Sequence, residues 1–151
     1  MALHYLADVP HVIPTVAHWY YHQWPALFKD QAQAVEEIKQ VKHRDQIPLC
    51  LVEIQNNQVL GTAALLMEDM DTYPNYSPWL ACVYVLETCR GAGIGKKVVL
   101  AATEKARQLG FKKLFLWTDH KKNFYKKLGW EIITTTLYKT YQVTIMSIAL
   151  D

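Results

Sequence analysis

The sequence predicts a mixed α/β fold, and two features of the chain lead to that class. The first is an apolar run over residues 79–85, a glycine-rich turn over 90–96, a helical pattern over 98–109 and a further apolar run over 113–117. A strand, turn, helix and strand in this order place two parallel strands side by side, joined by a right-handed crossover. The second is the polar segment 55–58 between two apolar runs, which is typical of an antiparallel hairpin.

The first half of the chain predicts two helices and three strands. Apolar side chains recur at helical spacing up to Trp24, with Asp8 as a candidate cap and Pro10 in the first turn. A second helical pattern follows, with its apolar positions on one face. The expected elements are a strand at residues 3–7, helices at 10–24 and 30–42, and hairpin strands at 47–54 and 59–67.

The second half of the chain predicts the remaining strands and two further helices. The run over 79–85 shows almost no alternation of apolar and polar residues, which indicates that both of its faces are covered. Gly110 and Gly129 mark helix ends, because glycine readily adopts the left-handed conformation found there. In a single domain over 1–151 we expect a loop at 68–78, strands at 79–85, 113–117, 132–138 and 143–150, and helices at 98–109 and 121–128.

Composition and short motifs exclude several classes of protein. The 151 residues carry a net charge of +2, so no strongly basic surface indicates a nucleic-acid partner. Cys50, Cys82 and Cys89 are scattered, and no Cys or His group has metal-site spacing. The first residues lack the basic and apolar segments of a signal peptide, and no apolar run approaches the roughly 20 residues of a membrane span. We therefore expect a cytoplasmic protein with no metal, no membrane and no nucleic-acid partner.

The glycine-rich turn over residues 90–96 predicts an anion site. Backbone N–H groups at the start of a helix are unpaired, and together with the positive end of the helix dipole they bind phosphate. A Walker P-loop is excluded, because Arg90 and Lys97 stand where it needs glycine and Ser or Thr. A dinucleotide fingerprint needs glycine where Lys96 stands, although Asp119 occupies the place of a ribose ligand. A structural turn without a ligand is the remaining alternative.

Two motifs together point to one family. Arg90, Gly93 and Gly95 match the Arg/Gln-x-x-Gly-x-Gly/Ala pattern of the Gcn5-related N-acetyltransferases, or GNAT family. Residues 81–85 resemble the fourth strand of that family, and residues 124–130 resemble its late Phe-Tyr-x-x-Leu-Gly-aromatic segment. The resemblance spans essentially the whole chain. It implies a mostly antiparallel central sheet of about six or seven strands, with a parallel, splayed fourth and fifth pair and flanking helices.

The resemblance implies that the chain uses acetyl-coenzyme A (acetyl-CoA) as a co-substrate and transfers its acetyl group to a primary amine. In the family, the pyrophosphate lies on the glycine turn and the pantetheine arm lies along the fourth strand. The binding residues implied here are Val83, Tyr84, Val85, Arg90, Gly91, Ala92, Gly93, Ile94, Gly95 and Lys96.

The resemblance also implies catalytic groups. Tyr125 stands at the position of the family's general acid, which protonates the leaving thiolate. A backbone N–H of the fourth strand would bind the developing oxyanion. That strand lacks the carboxylate that several family members carry there. Glu68 is therefore the candidate base, with Asp69 and Asp71 beside it on the same loop.

The acceptor amine is the least determined part of the prediction. Aromatic side chains beside acids suit a cationic amine, and the candidates that would contact it are Tyr20, Trp24, Asp69 and Trp79. A small amine, an antibiotic amine, an amino acid and a protein N-terminus all stay open as acceptors. A non-catalytic acyl-CoA sensor is the alternative function. The apolar strand at 143–150 allows pairing within the chain or across a homodimer.

Overall fold

Residues 2–150, which the computed structural model describes, form a sheet of seven strands with helices on both faces. The helices are α1 (Ile13–Gln23), α2 (Gln31–Lys39), α3 (Ile94–Gln108) and α4 (Lys122–Lys127). The strands are β1 (Ala2–Tyr5), β2 (Leu49–Gln55), β3 (Gln58–Leu66), β4 (Trp79–Val85), β5 (Lys113–Thr118), β6 (Glu131–Tyr138) and β7 (Tyr141–Ala149). Their order in the sheet is β1-β2-β3-β4-β5-β7-β6. This architecture confirms the predicted fold class.

Both faces of the central sheet are buried, and β2 shows how. Leu49 and Leu51 pack in the cluster that contains the apolar residues of α3 and α4. Cys50 and Val52 point to the opposite face, in the cluster that contains those of α1 and α2. A strand covered on both faces has no need of polar residues at alternate positions, which accounts for the continuous apolar runs in the sequence.

The first two helices are shorter than the predicted ones. Residues Pro10–Val12 form a separate 3-10 turn, so α1 begins only at Ile13. Helix α2 begins where expected, because the Asp30 carboxylate accepts a hydrogen bond from the Gln33 N–H at 2.8 Å and caps the helix. It ends at Lys39 rather than at residue 42.

Helix α3 starts four residues earlier than predicted, and this is the largest error in the predicted elements. Gly93 is its N-cap, so Gly95 and Lys96 belong to its first turn and not to a loop before it. Glycine is a poor helix former, so helix propensity places the start of this helix too late in the sequence. The glycine turn therefore comprises residues 90–93, and the N–H groups that follow belong to the helix.

The parallel pair β4 and β5 separates after one point of contact. The two strands pair only at Trp79 and Phe115, at the beginning of β4. A bulge lies further along β4, where its register with β3 shifts and Cys82 adopts a positive φ of 54°. A bulge bends the strand that carries it. The carboxyl-terminal halves of β4 and β5 are consequently splayed, as the resemblance implied.

Buried hydrogen bonds fix this bulge. The Tyr20 hydroxyl donates to Thr62 Oγ1 at 2.7 Å, and the Thr62 hydroxyl donates to the backbone oxygen of Cys82 at 2.9 Å. Both side chains are almost fully buried. A buried polar chain of this kind is stable only when each member is paired, so it specifies one backbone conformation. It connects α1 through β3 to the point where β4 bends.

The last strand, β7, lies inside the sheet. It pairs with β5 from Lys113↔Ala149 to Thr118↔Thr144, and with β6 on its other side. The alternative in which this strand pairs across a dimer is therefore wrong, because both of its edges are occupied within the chain. Among the described residues, no helix is both long and apolar enough to cross a membrane.

Candidate active site

The gap between the splayed strands is a cavity of about 460 Å³, which we call the first cavity. One wall is β4, the other is the end of β5, and the glycine turn closes one end. Nine of the ten residues predicted to bind acetyl-CoA line it, and Ala92 is the exception. The first cavity thus has an extended shape between two strands with an anion site at one end.

The glycine turn presents free backbone donors to this cavity. Gly93 has a φ of +84°, a left-handed conformation that favours glycine, and it precedes α3 directly. The N–H of Lys97 is the donor to the carbonyl of Gly93, at 3.1 Å, and it makes the first hydrogen bond of the helix. The N–H groups before it have no helical partner and lie at the positive end of the dipole.

Gly95 lets the helix start close to β4. A Cβ at this position would lie 3.4 Å from Val85 Cγ2 and 3.6 Å from Phe124 Cζ. A side chain there would fill the space beside the free N–H groups. The space that the missing side chain leaves lets the backbone N–H groups approach a pyrophosphate closely. The residues present therefore fit the phosphate end of coenzyme A.

The charged residues of the turn differ in their positions. Arg90 folds back on β4, where its Nε donates to the carbonyl of Val85 at 3.1 Å and its guanidinium lies 5.3 Å from the ring centre of Tyr84. Lys96 is exposed at the cavity wall. Lys97 instead pairs with Glu53 of β2 at 2.7 Å, and that carboxylate is completely buried. This buried ion pair, which the sequence did not indicate, fixes the first turn of α3 to the sheet.

Tyr125 lies in the wall of the first cavity. It sits on α4 beside Phe124 and is 6% exposed. Burial raises the pKa of the phenol well above its usual value, with no hydrogen bond to offset the effect. The hydroxyl is therefore protonated at every pH of interest, as a proton donor must be.

A second cavity of about 320 Å³ lies next to the first, on the side of α2 and the β6–β7 hairpin. The two cavities share Leu27, Phe28, Asp69 and Cys82 in their walls. Asp69 is thus the carboxylate common to both. Glu68 is exposed and lines only the second cavity.

The surroundings of Asp69 make its carboxyl group unusually basic. Burial raises the pKa of this group to about 7. The indole N–H of Trp117 faces the carboxylate and lowers the pKa in part, although it makes no hydrogen bond of full geometry. The Tyr138 hydroxyl donates to the backbone oxygen of Asp69 at 3.1 Å and fixes the loop. A carboxylate that titrates near neutral pH can accept and release protons under physiological conditions.

This basic carboxyl group predicts a pH-dependent effect on stability. Its pKa is raised from 3.8 to about 7, so between these values the native state binds more protons than the unfolded state. Stability therefore falls as the pH rises through this window. Asp69→Asn removes the charge, so its free energy of unfolding should exceed that of the wild type by a margin that grows from pH 4 to pH 7 and then levels. Urea unfolding of both proteins at several pH values measures it, and a margin independent of pH would contradict it.

The acceptor residues predicted from the sequence fall into three groups. Asp69 and Trp24 line the first cavity as expected. Tyr20 is 2% exposed, and its ring contributes to the second cavity while its hydroxyl is bonded to Thr62. The prediction for Trp79 needs correction: its side chain has no exposed surface, and its indole N–H donates to the Tyr76 carbonyl. The absence of alternation over residues 79–85 already indicated this burial.

Two residues of the site were missed. The sequence pattern marks Trp117 only as the end of a strand, and it does not single out Glu37. Both line cavities beside Asp69. Their roles depend on the packing of distant elements, and no local motif marks them.

A parallel strand pair that splays around an extended cavity, with free helical N–H groups at its end, defines a protein that binds a phosphate-bearing co-substrate along a strand. The family model described as "Acetyltransferase (GNAT) family" matches residues 13–130, most of the chain. The chain therefore belongs to the GNAT acetyltransferase family. No curated protein matches its sequence.

Solved structures share the fold over nearly the whole chain. An aminoglycoside 6'-N-acetyltransferase complexed with coenzyme A has a TM-score of 0.79 at 15% identity, covering 100% of this chain and 98% of that one. A ribosomal-protein-alanine N-acetyltransferase from Brucella melitensis has a TM-score of 0.74 at 18% identity, covering 99% and 100%. A Salmonella typhimurium protein solved with its cofactor acetyl-CoA has a TM-score of 0.70 at 17% identity, covering 100% and 95%. At these identities the likeness concerns the fold.

Membership of the family identifies the phosphate-bearing co-substrate, which the pattern of the glycine turn alone left open. GNAT enzymes use acetyl-CoA as their co-substrate, so the prediction of acetyl-CoA is confirmed and the dinucleotide alternative is wrong. When bound, acetyl-CoA supplies an activated acetyl thioester. The identity of the acceptor depends on the rest of the site.

Proposed function

We propose that the protein is an acetyl-CoA-dependent N-acetyltransferase that acylates a primary amine held in the second cavity. The observation that carries this proposal is the junction of the two cavities at Asp69. An acetyl group delivered along β4 and an amine entering from the side of α2 would meet there. The proteins of similar fold include an aminoglycoside 6'-N-acetyltransferase and a ribosomal-protein-alanine N-acetyltransferase, which is consistent with an amine acceptor.

The reaction needs two proton transfers that this chain can supply. Acetyl transfer forms a carbon–nitrogen bond to the amine and breaks the carbon–sulfur bond of the thioester. The amine, whose conjugate acid has a pKa of about 10, has to lose a proton to attack. Asp69 accepts that proton, directly or through one water, and Tyr125 donates one to the departing thiolate. The net products are an acetamide and coenzyme A.

Asp69 replaces Glu68 as the proposed base. Glu68 is exposed and lies outside the wall of the first cavity, whereas Asp69 lines both cavities. The raised pKa of Asp69, near 7, is also the more useful one, because general bases work best when their pKa lies close to the operating pH. Glu68 then contributes charge at the rim of the second cavity.

The proposed function is tested by thiol release. Purified protein is mixed with acetyl-CoA and a panel of primary amines, and free coenzyme A is measured over time. We expect release that depends on an amine, together with an acetylated product of matching mass. Binding of acetyl-CoA in calorimetry with no acetylated product from any amine would favour the sensor. The cytoplasmic location of the protein and its possible assembly as a homodimer stay predictions.

Tyr125→Phe should lower kcat by about 100-fold while the KM for acetyl-CoA changes little. The substitution removes the proton donor but keeps the ring that packs against Phe124 and Trp130, and loss of a general acid typically costs 10²–10⁴-fold. Initial rates at saturating acetyl-CoA measure it. Tyr76→Phe is the matched control, because Tyr76 lines neither cavity. A kcat for Tyr125→Phe within about twofold of the wild type would remove Tyr125 from the mechanism.

A further inference from the structure

The second cavity has an apolar floor and a charged rim. The residues at its floor are almost fully buried and apolar or aromatic: Leu6, Tyr20, Ile38, Cys50, Ala64 and Tyr138. The charged residues Glu37, Glu68 and Lys139 also line the cavity but are exposed, so they lie where it opens to solvent. The body of a bound molecule therefore contacts apolar surface, and charged side chains reach the molecule only at the ends of the cavity.

The floor of the cavity offers little to a hydroxylated ligand. Its neutral polar side chains are two phenols and two thiols. The Tyr20 hydroxyl already donates to Thr62, and the Tyr138 hydroxyl already donates to the backbone of Asp69. Thiols are weak hydrogen-bonding groups. A sugar hydroxyl buried against this floor would lose its hydrogen bonds to water and gain none of similar strength.

The charge of the cavity favours an amine at one end. Asp69 stands at the junction with the first cavity. Among the described residues, three carboxylates and one cation line the second cavity, and the Nζ of that cation, Lys139, lies 5.7 Å from the ring centre of Tyr138. An ammonium group drawn to Asp69 is thus placed beside the acetyl site, while the body of the molecule extends over the apolar floor.

We propose that the acceptor is a primary amine on a compact apolar body, an arylalkyl or branched alkyl amine, and that the second cavity recognises that body. This inference rests on the proposed function and narrows its substrate class. The volume of about 320 Å³ lies at the small end of the range for ligand sites, roughly 300–1,000 Å³, and suits a single ring with a short chain. Aminosugars and polyhydroxylated amines are disfavoured by the same floor.

The first experiment compares amines that differ only in their body. The probes are 2-phenylethylamine, methylamine and D-glucosamine, with kcat/KM corrected for the fraction of each that is unprotonated. We expect kcat/KM for 2-phenylethylamine to exceed that for the other two by about 10- to 100-fold, the gain from burying one aromatic side chain. A preference for D-glucosamine would overturn the inference and leave the N-acetyltransferase function intact.

The second experiment changes the size of the cavity. Leu66, at the end of β3, lines only the second cavity. Leu66→Trp should lower the ratio of kcat/KM for 2-phenylethylamine to kcat/KM for methylamine by about tenfold. Leu66→Ala should raise the relative rate with a bulkier probe, 2-(1-naphthyl)ethylamine. Leu137→Trp is the matched control, because Leu137 is 65% exposed and lines neither cavity. Equal effects of Leu66→Trp on all amines would overturn the inference.

Direct binding separates this inference from the proposed function. Calorimetry of 2-phenylethylamine with the coenzyme A complex of the wild type should give a measurable Kd that Leu66→Trp weakens about tenfold. Binding that is retained without any acetylation would support the apolar site and overturn the transfer reaction. Acetylation of amines whose affinity is insensitive to Leu66 would support the reaction and overturn the apolar site. Calorimetry with coenzyme A alone checks that each variant is folded.

Discussion

Gly93→Glu is expected to weaken the binding of acetyl-CoA by more than about 100-fold. Gly93 caps α3 with a φ of +84°, a conformation that costs any other residue about 1 kcal/mol or more. The glutamate adds a negative charge at the end of the helix where a pyrophosphate would bind, so two anions would compete for the same N–H groups. Isothermal titration calorimetry with acetyl-CoA measures the loss.

The other end of α3 provides a matched control. Gly110 has a φ of +94°, and a Cβ there would meet nothing within 4 Å, as is also true at Gly93. Gly110→Glu therefore introduces the same backbone strain and the same charge, but far from the glycine turn. It should lower thermal stability more than Gly93→Glu, because a carboxylate is unfavourable at the carboxyl end of a helix, and leave the Kd for acetyl-CoA unchanged. Gly93→Ala separates strain from charge and should show an intermediate Kd. Equal affinities for all three variants would contradict an anion site at the turn.

The proposed acetyl-CoA site could be delimited from the sequence because its motif is contiguous. A strand that ends in alternate glycines and leads into a helix fixes its own local geometry, so nine of the ten predicted residues lie on one cavity. The β2–β3 hairpin and the parallel β4–β5 pair followed from the same local patterns. The start of α3 was misplaced because propensity disfavours glycine in a helix, whereas Gly95 lies in its first turn, where a Cβ would only touch Val85 and Phe124.

The acceptor side could not be predicted to the same depth, because it is assembled from distant segments. Glu68 and Asp69 are neighbours in the sequence, and nothing local determines which of the two is half-buried and lines both cavities. The position of Asp69 depends on Tyr138, 69 positions further along the chain, whose hydroxyl donates a hydrogen bond to the backbone oxygen of Asp69. The bulge at Cys82 likewise depends on Tyr20 and Thr62, which belong to other elements. Tertiary packing of this kind leaves no signal in a single sequence.

Asp69→Asn is expected to lower kcat/KM at pH 7 by about 100-fold or more, within the range for the loss of a general base. Its pKa of about 7 predicts that kcat/KM of the wild type falls as the pH drops below that value, because the protonated carboxyl cannot accept a proton from the amine. The variant should lack this inflection. Its deficit should narrow toward pH 10, because an amine that is already neutral needs no base.

Substitutions of two neighbouring acids test whether the pH dependence comes from the position of Asp69 or from any negative charge on this loop. Asp71→Asn removes an exposed carboxylate that lines neither cavity, and Glu68→Gln removes one that lines only the second. Both variants should keep the inflection near pH 7, and Glu68→Gln should mainly raise the KM for a cationic amine. If Glu68→Gln lost the inflection and Asp69→Asn kept it, the base would be Glu68. Of these three acids, Asp69 alone lies in the walls of both cavities, so the pH profile of the three variants locates the proton transfer at one carboxylate.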